Sequence, residues 1–185
     1  MHVSAIFAAS VVALLVGSLA ADAQNLDFPA RKPGLWETRM VTEKPEGGPA
    51  VTTRMCIDAA TDREMMEFGL KMSRGSCKRF DTRRAGATWV IDAECAFGPV
   101  KSVTKTTISG DFQSLVTVRI EGTTEGMPGA GAGPQATLMT QTATWKAAAC
   151  GDDMRPGDVS LGQGMKMNIR QLKELQKTLP NLQIK

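Results

Sequence analysis

The alternation of apolar and polar residues from position 35 onward predicts a chain built mainly of β-strands. In the segment 35–43, Trp36 and Met40 fall on one face, because successive side chains of a strand point to opposite sides. Six more segments show strand patterning of this kind: 50–57, 77–83, 88–97, 101–108, 114–122 and 135–148. The pattern therefore predicts seven strands, joined mostly as hairpins.

Two segments change to the 3.6-residue period of a helix. After the second strand, Asp58 or Thr61 can cap a helix over 63–72, which Gly75 would end. Near the end of the chain, 165–178 predicts an amphipathic helix with basic residues opposite an apolar stripe. The stripe consists of Met165, Ile169, Leu172, Leu175 and Leu179. The Gly/Pro-rich segment 122–134 predicts a loop, and 151–164 an irregular stretch.

The fold class predicted from these elements is mainly β. An antiparallel meander of seven strands has to curl in order to bury its apolar face. We expect a half-open or closed barrel, with one short helix after strand two and a helix in or over the mouth. A two-sheet sandwich is the alternative. The predicted organisation is a single β domain over 24–150 and a C-terminal segment over 151–185 that carries the amphipathic helix.

The first 23 residues predict an export signal. An apolar run from Val3 to Ala20 is followed by Ala21-Asp22-Ala23, a small-x-small site for signal peptidase. Cleavage after Ala23 would remove 23 of the 185 residues and leave 162, a length suited to one domain. The prediction is a periplasmic protein, with no further stretch long enough to span a membrane.

Composition argues against catalysis and against nucleic-acid binding. The only histidine is His2, inside the signal, and the chain has no tyrosine. The commonest general base is thus absent, and Asp92 and Glu94 alternate with an apolar stripe, as on the wet face of a strand. We therefore predict a non-enzyme. A formal net charge of +3 with mixed signs is too mild to predict a nucleic-acid partner.

The four cysteines predict two disulfides, because an even number in an exported chain is typical of a disulfide framework. A three-residue loop at 85–87 would place Cys77 opposite Cys95, which leaves Cys56 with Cys150. A slip of one residue would turn the first two side chains to opposite faces. The pairing of Cys56 with Cys77, and Cys95 with Cys150, therefore stays open.

A curled sheet lined with bulky residues predicts an apolar cavity. The side chains expected to touch a ligand there are Trp36, Met40, Trp89, Ile91 and Trp145. The first functional hypothesis is a binding or carrier module for a lipid or another apolar molecule, without a cofactor or a metal. Two alternatives are an envelope structural or interaction protein and a copper protein, since methionine thioethers bind Cu(I).

The segment Lys32-Pro33-Gly34-Leu35-Trp36-Glu37 resembles the opening motif of a bacterial exported family, domain of unknown function 3617. Cys56, Cys77 and Cys95 are similar to cysteines of that family, and Gly126-Met127-Pro128 to its Gly/Met/Pro loops. The resemblance spans 31–150, although Cys150-Gly151-Asp152 departs from the family's Gly-Asp-Cys order. It implies an exported protein of this fold and no established activity.

Overall fold

The computed structural model describes residues 28–45, 48–129, 131, 133–151, 153–161 and 164–178. The predicted signal segment 1–23 and Leu179 lie outside the described residues. The elements are β1 (Gly34–Lys44), β2 (Val51–Ile57), α1 (Ala59–Ser76), β3 (Cys77–Ala85), β4 (Thr88–Phe97), β5 (Val100–Gly110), β6 (Leu115–Glu125), β7 (Gln135–Ala147), β8 (Asp158–Ser160), β9 (Lys166–Asn168) and α2 (Ile169–Thr178).

The described strands form one antiparallel sheet in the order β3-β4-β5-β6-β7-β1-β2-β8-β9. Strands β3 to β7 follow one another as a meander, and β1 then pairs with β7, so the first strand lies in the interior of the sheet. The mainly β, antiparallel prediction is confirmed. The sheet is open, with β3 and β9 as its edges, so the closed barrel and the two-sheet sandwich are wrong.

The count of seven strands is wrong because the segment predicted as irregular contains β8, and β9 follows it. Each has three residues, which is too short for a recognisable period. The two pair with each other, and β8 adds to β2. Met165 consequently precedes β9, and the second helix begins at Ile169 rather than at 165.

Helix α1 begins at the predicted cap and ends later than predicted. Asp58 accepts a hydrogen bond from the backbone N–H of Thr61 at 2.7 Å, and the Thr61 hydroxyl accepts one from the N–H of Asp58. The bond from the Thr61 backbone lowers the pKa of Asp58 below its ordinary value. The helix continues through Gly69 and Gly75 to Ser76, so glycine did not end it.

One cluster of buried side chains joins distant strands of the sheet. Its members are Trp36, Ile57, Trp89, Phe112, Val116 and Ala143. Met65 of α1 packs against this cluster, and Phe112 meets Trp89 edge-on at 5.3 Å between ring centroids. Strands β4 and β2 are separated by four other strands in the sheet, yet both contribute to the cluster. The sheet must therefore curl around its inner side.

The structure pairs Cys77 with Cys95 and Cys56 with Cys150. These are the pairs that the register argument favoured, but the predicted three-residue loop is wrong. Ala85 pairs with Thr88 across a two-residue turn, which shifts the register by one. A β-bulge between Cys77 and Arg79 shifts it back and restores Cys77 opposite Cys95.

No helix in the described part of the chain is long and apolar enough to cross a membrane.

Candidate functional site

Alternate side chains of β1–β7 form an inner face that carries two rows of mostly apolar residues. The register of neighbouring strands fixes which side chains stand side by side. The first row runs Met40, Gln141, Val118, Ile108, Trp89. The second runs Met139, Ile120, Thr106, Ile91, Thr82. We call the surface formed by these two rows the inner face.

The inner face is buried at one side and partly open at the other. Trp89, Ile91 and Thr82, on β4 and β3, are buried. The remaining side chains of both rows, from β5 to β1, are partly exposed. They are Met40, Gln141, Val118, Ile108, Met139, Ile120 and Thr106. Apolar side chains that keep accessible surface on the concave side of a sheet are typical of a ligand cavity.

One end of the curled sheet is closed by the segment 28–33, which we call the N-terminal strap. Phe28 packs against Trp89 at 5.6 Å between ring centroids, and the Lys32 N–H donates to the Phe112 carbonyl at 2.9 Å. Arg31 forms a salt bridge with Asp62 of α1 at 2.7 Å. The strap therefore joins the sheet, the helix and the β5–β6 turn at this end.

The motif at positions 32–37 builds the joint between β1 and β7. The indole N–H of Trp36 donates to the Lys32 carbonyl at 2.8 Å, and that of Trp145 to the Pro33 carbonyl at 3.0 Å. Gly34 has a φ of +127°, and a Cβ there would lie 2.1 Å from the Ala147 carbonyl oxygen. Each of these residues thus has a structural role, which explains the motif without any ligand.

The five predicted ligand residues occupy two kinds of position. Trp36, Trp89 and Ile91 are buried in the structure, and Trp36 has no exposed surface at all. Met40 and Trp145 are partly exposed. The Lys32 ammonium lies 3.6 Å from the centroid of the Trp145 ring and covers part of it. Of the predicted set, Met40 therefore offers the most direct surface to a ligand on the inner face.

The predicted ligand residues did not include Gln141, Met139 and Ile120, which belong to the same surface. Their signal was present in the alternation of β6 and β7, where Met139 and Gln141 share a face with the buried Ala143. The strand is rich in threonine, which fits either face of a sheet and so hides the period. The pairing of β7 with β1, which brings Gln141 beside Met40, requires the tertiary fold.

Charge is almost confined to the outer face. No Asp, Glu, Lys or Arg belongs to the two rows, and Arg84 of the edge strand β3 stands beside Trp89 at the end of the first row. On the outer face, Arg83 pairs with Asp92 and Lys78 with Glu94. Hydrogen bonds from these partners lower the pKa of both carboxyl groups. The inner face is therefore an uncharged surface.

A groove of about 500 Å³ lies at the end of β4–β6, mainly on the outer face. Its charged residues pair with one another: Lys78 with Glu94 at 2.7 Å and Lys101 with Glu125 at 3.3 Å. This pairing leaves the groove without an unbalanced charge for an ionic ligand. We therefore regard the inner face as the candidate site.

The methionines of the copper hypothesis differ in their exposure to solvent. Met154 is buried, whereas Met127, Met165 and Met167 are among the exposed apolar residues. Among the described residues, no group of three or more His, Cys, Asp and Glu side chains could hold a metal ion.

Thr38 lies on the inner side of β1, two residues before Met40, and pairs with Ala143 of β7 and Thr53 of β2. Its hydroxyl oxygen is buried and has no hydrogen-bond partner among the described residues. A buried hydroxyl without a partner costs about 1–3 kcal/mol.

We expect Thr38→Val to raise the free energy of unfolding by about 1 kcal/mol in urea denaturation. An unchanged or lower value would show that the hydroxyl is satisfied in solution, and Thr53→Val is the matched control.

No curated protein and no solved structure matches the chain in sequence or fold. A family model described as "Protein of unknown function (DUF3617)" matches residues 31–150, which include the motif at 32–37 and all four cysteines. This match extends over more than half of the chain, and its limits coincide with the strap residue Arg31 and the disulfide residue Cys150. The chain therefore belongs to the DUF3617 family.

Proposed function

We propose that this protein is a non-catalytic binding or carrier module of the bacterial periplasm for an apolar or lipidic ligand. The ligand lies on the inner face of the sheet, which takes the form of a half-open barrel. The observation that carries the proposal is an uncharged concave surface on which Met40, Met139, Ile108, Val118 and Ile120 keep accessible area. Export rests on the signal-like segment 1–23, and the two disulfides suit an oxidising compartment.

Helix α1 acts as the cover of this surface. It contacts β2, β3 and β4, and Met65 reaches the core cluster from above the sheet. Near its other end, the Arg74 guanidinium lies 6.0 Å from the centroid of the Phe80 ring on β3. The helix thus spans the side of the inner face where the side chains are buried, and leaves the β5–β1 side accessible.

The energetics of such a site suit a long acyl chain. Burying one methylene group contributes about 0.8 kcal/mol, so sixteen of them contribute about 13 kcal/mol, and an association cost of about 5 kcal/mol leaves a binding free energy of about −8 kcal/mol. Met40 and Met139 add adaptable surface, since the flexible thioether side chain fits ligands of different shape. We expect dissociation constants in the micromolar range, which correspond to about −8 kcal/mol.

The substitution Met139→Lys tests this proposal. It places an ammonium group on the uncharged face, and we expect about 100-fold weaker binding of N-phenylnaphthylamine, a neutral fluorescent probe, equivalent to roughly 3 kcal/mol. The measurement is a fluorescence titration of the purified full-length mature protein, with thermal melts to show that each variant is folded.

The matched control is Thr140→Lys, one residue further along β7. Thr140 points to the outer face and bonds Glu43 there, so an added lysine would meet a carboxylate in solvent. We expect probe binding to this variant to equal that of the wild type. Equal weakening by both substitutions, or by neither, would contradict an inner-face site.

A further inference from the structure

Gln141 is the one amide side chain in the two rows of the inner face. It stands between Met40 of β1 and Val118 of β6, and Met139 precedes it on the same face of β7. Its Nε2 atom lies 3.7 Å from the sulfur of Met40 and 3.9 Å from that of Met139. Thioether sulfur is a weak acceptor, so the amide keeps donor capacity that the protein itself uses poorly.

We propose that the inner face selects neutral lipids that carry a carbonyl group, such as esters, and that the Gln141 amide donates a hydrogen bond to that carbonyl. The inference rests on the proposed function and specifies its ligand class. A hydrogen-bond donor in an apolar surface increases the affinity for a ligand with a matching acceptor, because the two groups leave water together and pair with each other. A pure hydrocarbon would bury Gln141 without offering it a partner.

The charges of the site disfavour an anionic head group at the same position. The Lys32 ammonium lies over the Trp145 ring, four residues from Gln141 along β7. The Arg84 guanidinium, beside Trp89 at the end of the first row, lies 5.1 Å from the Trp89 ring centroid, and its Nε donates to the Gly86 carbonyl at 3.1 Å. It sits on the edge strand β3, four strands away from β7 in the sheet. A carboxylate beside Gln141 would therefore be buried without a counter-ion, which is costly.

Thr38 provides a second polar group close to Gln141. Its partner across β1 and β7 is Ala143, two residues from Gln141, so the two side chains are diagonal neighbours on the same face. The Thr38 hydroxyl is buried without a partner in the described part of the chain. It is therefore a second polar group near Gln141 whose hydrogen-bonding capacity the described residues do not use.

The test compares three ligands that share one acyl chain or its length: methyl laurate, dodecane and laurate. Each displaces N-phenylnaphthylamine from the mature protein at neutral pH. We expect methyl laurate to bind about ten-fold more tightly than dodecane, since one hydrogen bond contributes about that factor, and laurate to bind more weakly than its ester. In Gln141→Leu and Gln141→Met, the preference for the ester over dodecane should fall below two-fold, measured as the ratio of the two dissociation constants for the same variant.

The outer-face variant Thr142→Val is the matched control and should keep the full preference. Equal binding of ester and dodecane by the wild type, or an ester preference that survives in both Gln141 variants, would overturn the inference and leave the proposed function in place. Tighter binding of laurate than of its ester would overturn it as well. Failure of all three ligands and of the probe to bind would instead overturn the proposed function.

Discussion

We expect the double substitution Cys56→Ala/Cys150→Ala to lower the free energy of unfolding by about 4–5 kcal/mol. The bond closes a loop of sequence separation 94, so it removes much conformational freedom from the unfolded chain. Cys56 is fully buried at the end of β2, and its carbonyl accepts a hydrogen bond from the Gly157 N–H at 2.8 Å. The disulfide connects the end of β2 to the chain after β7, and the hydrogen bond connects it to the chain leading to β8.

The second disulfide provides the comparison. Cys77–Cys95 has a sequence separation of 18, and the same entropy argument gives about 3 kcal/mol for Cys77→Ala/Cys95→Ala. Urea denaturation of both double variants at one temperature measures the difference. A larger loss for the Cys77/Cys95 variant would contradict the loop-length argument and show that the bulge at β3 depends on its bond.

The hairpin of β3 and β4 shows how far sequence reasoning could go. The register of a three-residue loop predicted Cys77 opposite Cys95, and the structure has them directly opposite, through a two-residue turn and a bulge. The turn could not be predicted, since Gly86 can occupy a two-residue or a three-residue loop equally well. The bulge after Cys77 could not be predicted either, because it offsets the register shift of the two-residue turn, and the sequence does not specify that turn.

The inner face was predictable in its apolar nature but not in its membership. Trp36 and Trp89 stand out by size, and size is what made them core residues. Met139, Ile120 and Gln141 are modest in size and become neighbours through the β6–β7 and β7–β1 pairings. Pairing of β1 with β7 joins residues about a hundred positions apart, and no local pattern specifies it.

The strap is a further feature that local patterns could not reveal. In the sequence, Phe28 is an apolar residue within a polar lead-in, and in the structure it packs on Trp89. Arg31 begins the family match and reaches Asp62, which stands 31 residues further along the chain in the first turn of α1. An aspartate in the first turn of a helix is common for reasons of helix charge alone, so its partner remained hidden.

The second large effect concerns that ion pair. We expect Asp62→Ala to lower the free energy of unfolding by about 3–5 kcal/mol. The side chain of Asp62 is 3% exposed and that of Arg31 15%. The carboxylate accepts two hydrogen bonds from Arg31, one from the backbone N–H at 2.9 Å and one from the side-chain Nε–H at 2.7 Å. Removing it leaves the Arg31 guanidinium, which lies 5.9 Å from the centroid of the Trp36 ring, without a counter-charge.

Glu64→Ala on the same helix is the matched control. Glu64 pairs with Arg170 and Lys173 of α2 in a half-exposed position, where such pairs contribute less than about 1 kcal/mol. Chemical denaturation should therefore separate the two variants by several kcal/mol, and similar losses would contradict a special role for the buried pair.

A third variant distinguishes the effect of an unpaired charge from the effect of losing the attachment between the strap and α1. In Arg31→Met/Asp62→Leu both charges are replaced by apolar side chains, which often restores or exceeds the stability of a buried pair. We expect this variant to regain most of the loss, because the strap then stays attached through packing and through the Lys32–Phe112 hydrogen bond. If it stays as unstable as Asp62→Ala, the Arg31 backbone N–H, which loses its acceptor in both variants, is the group that holds the strap on α1.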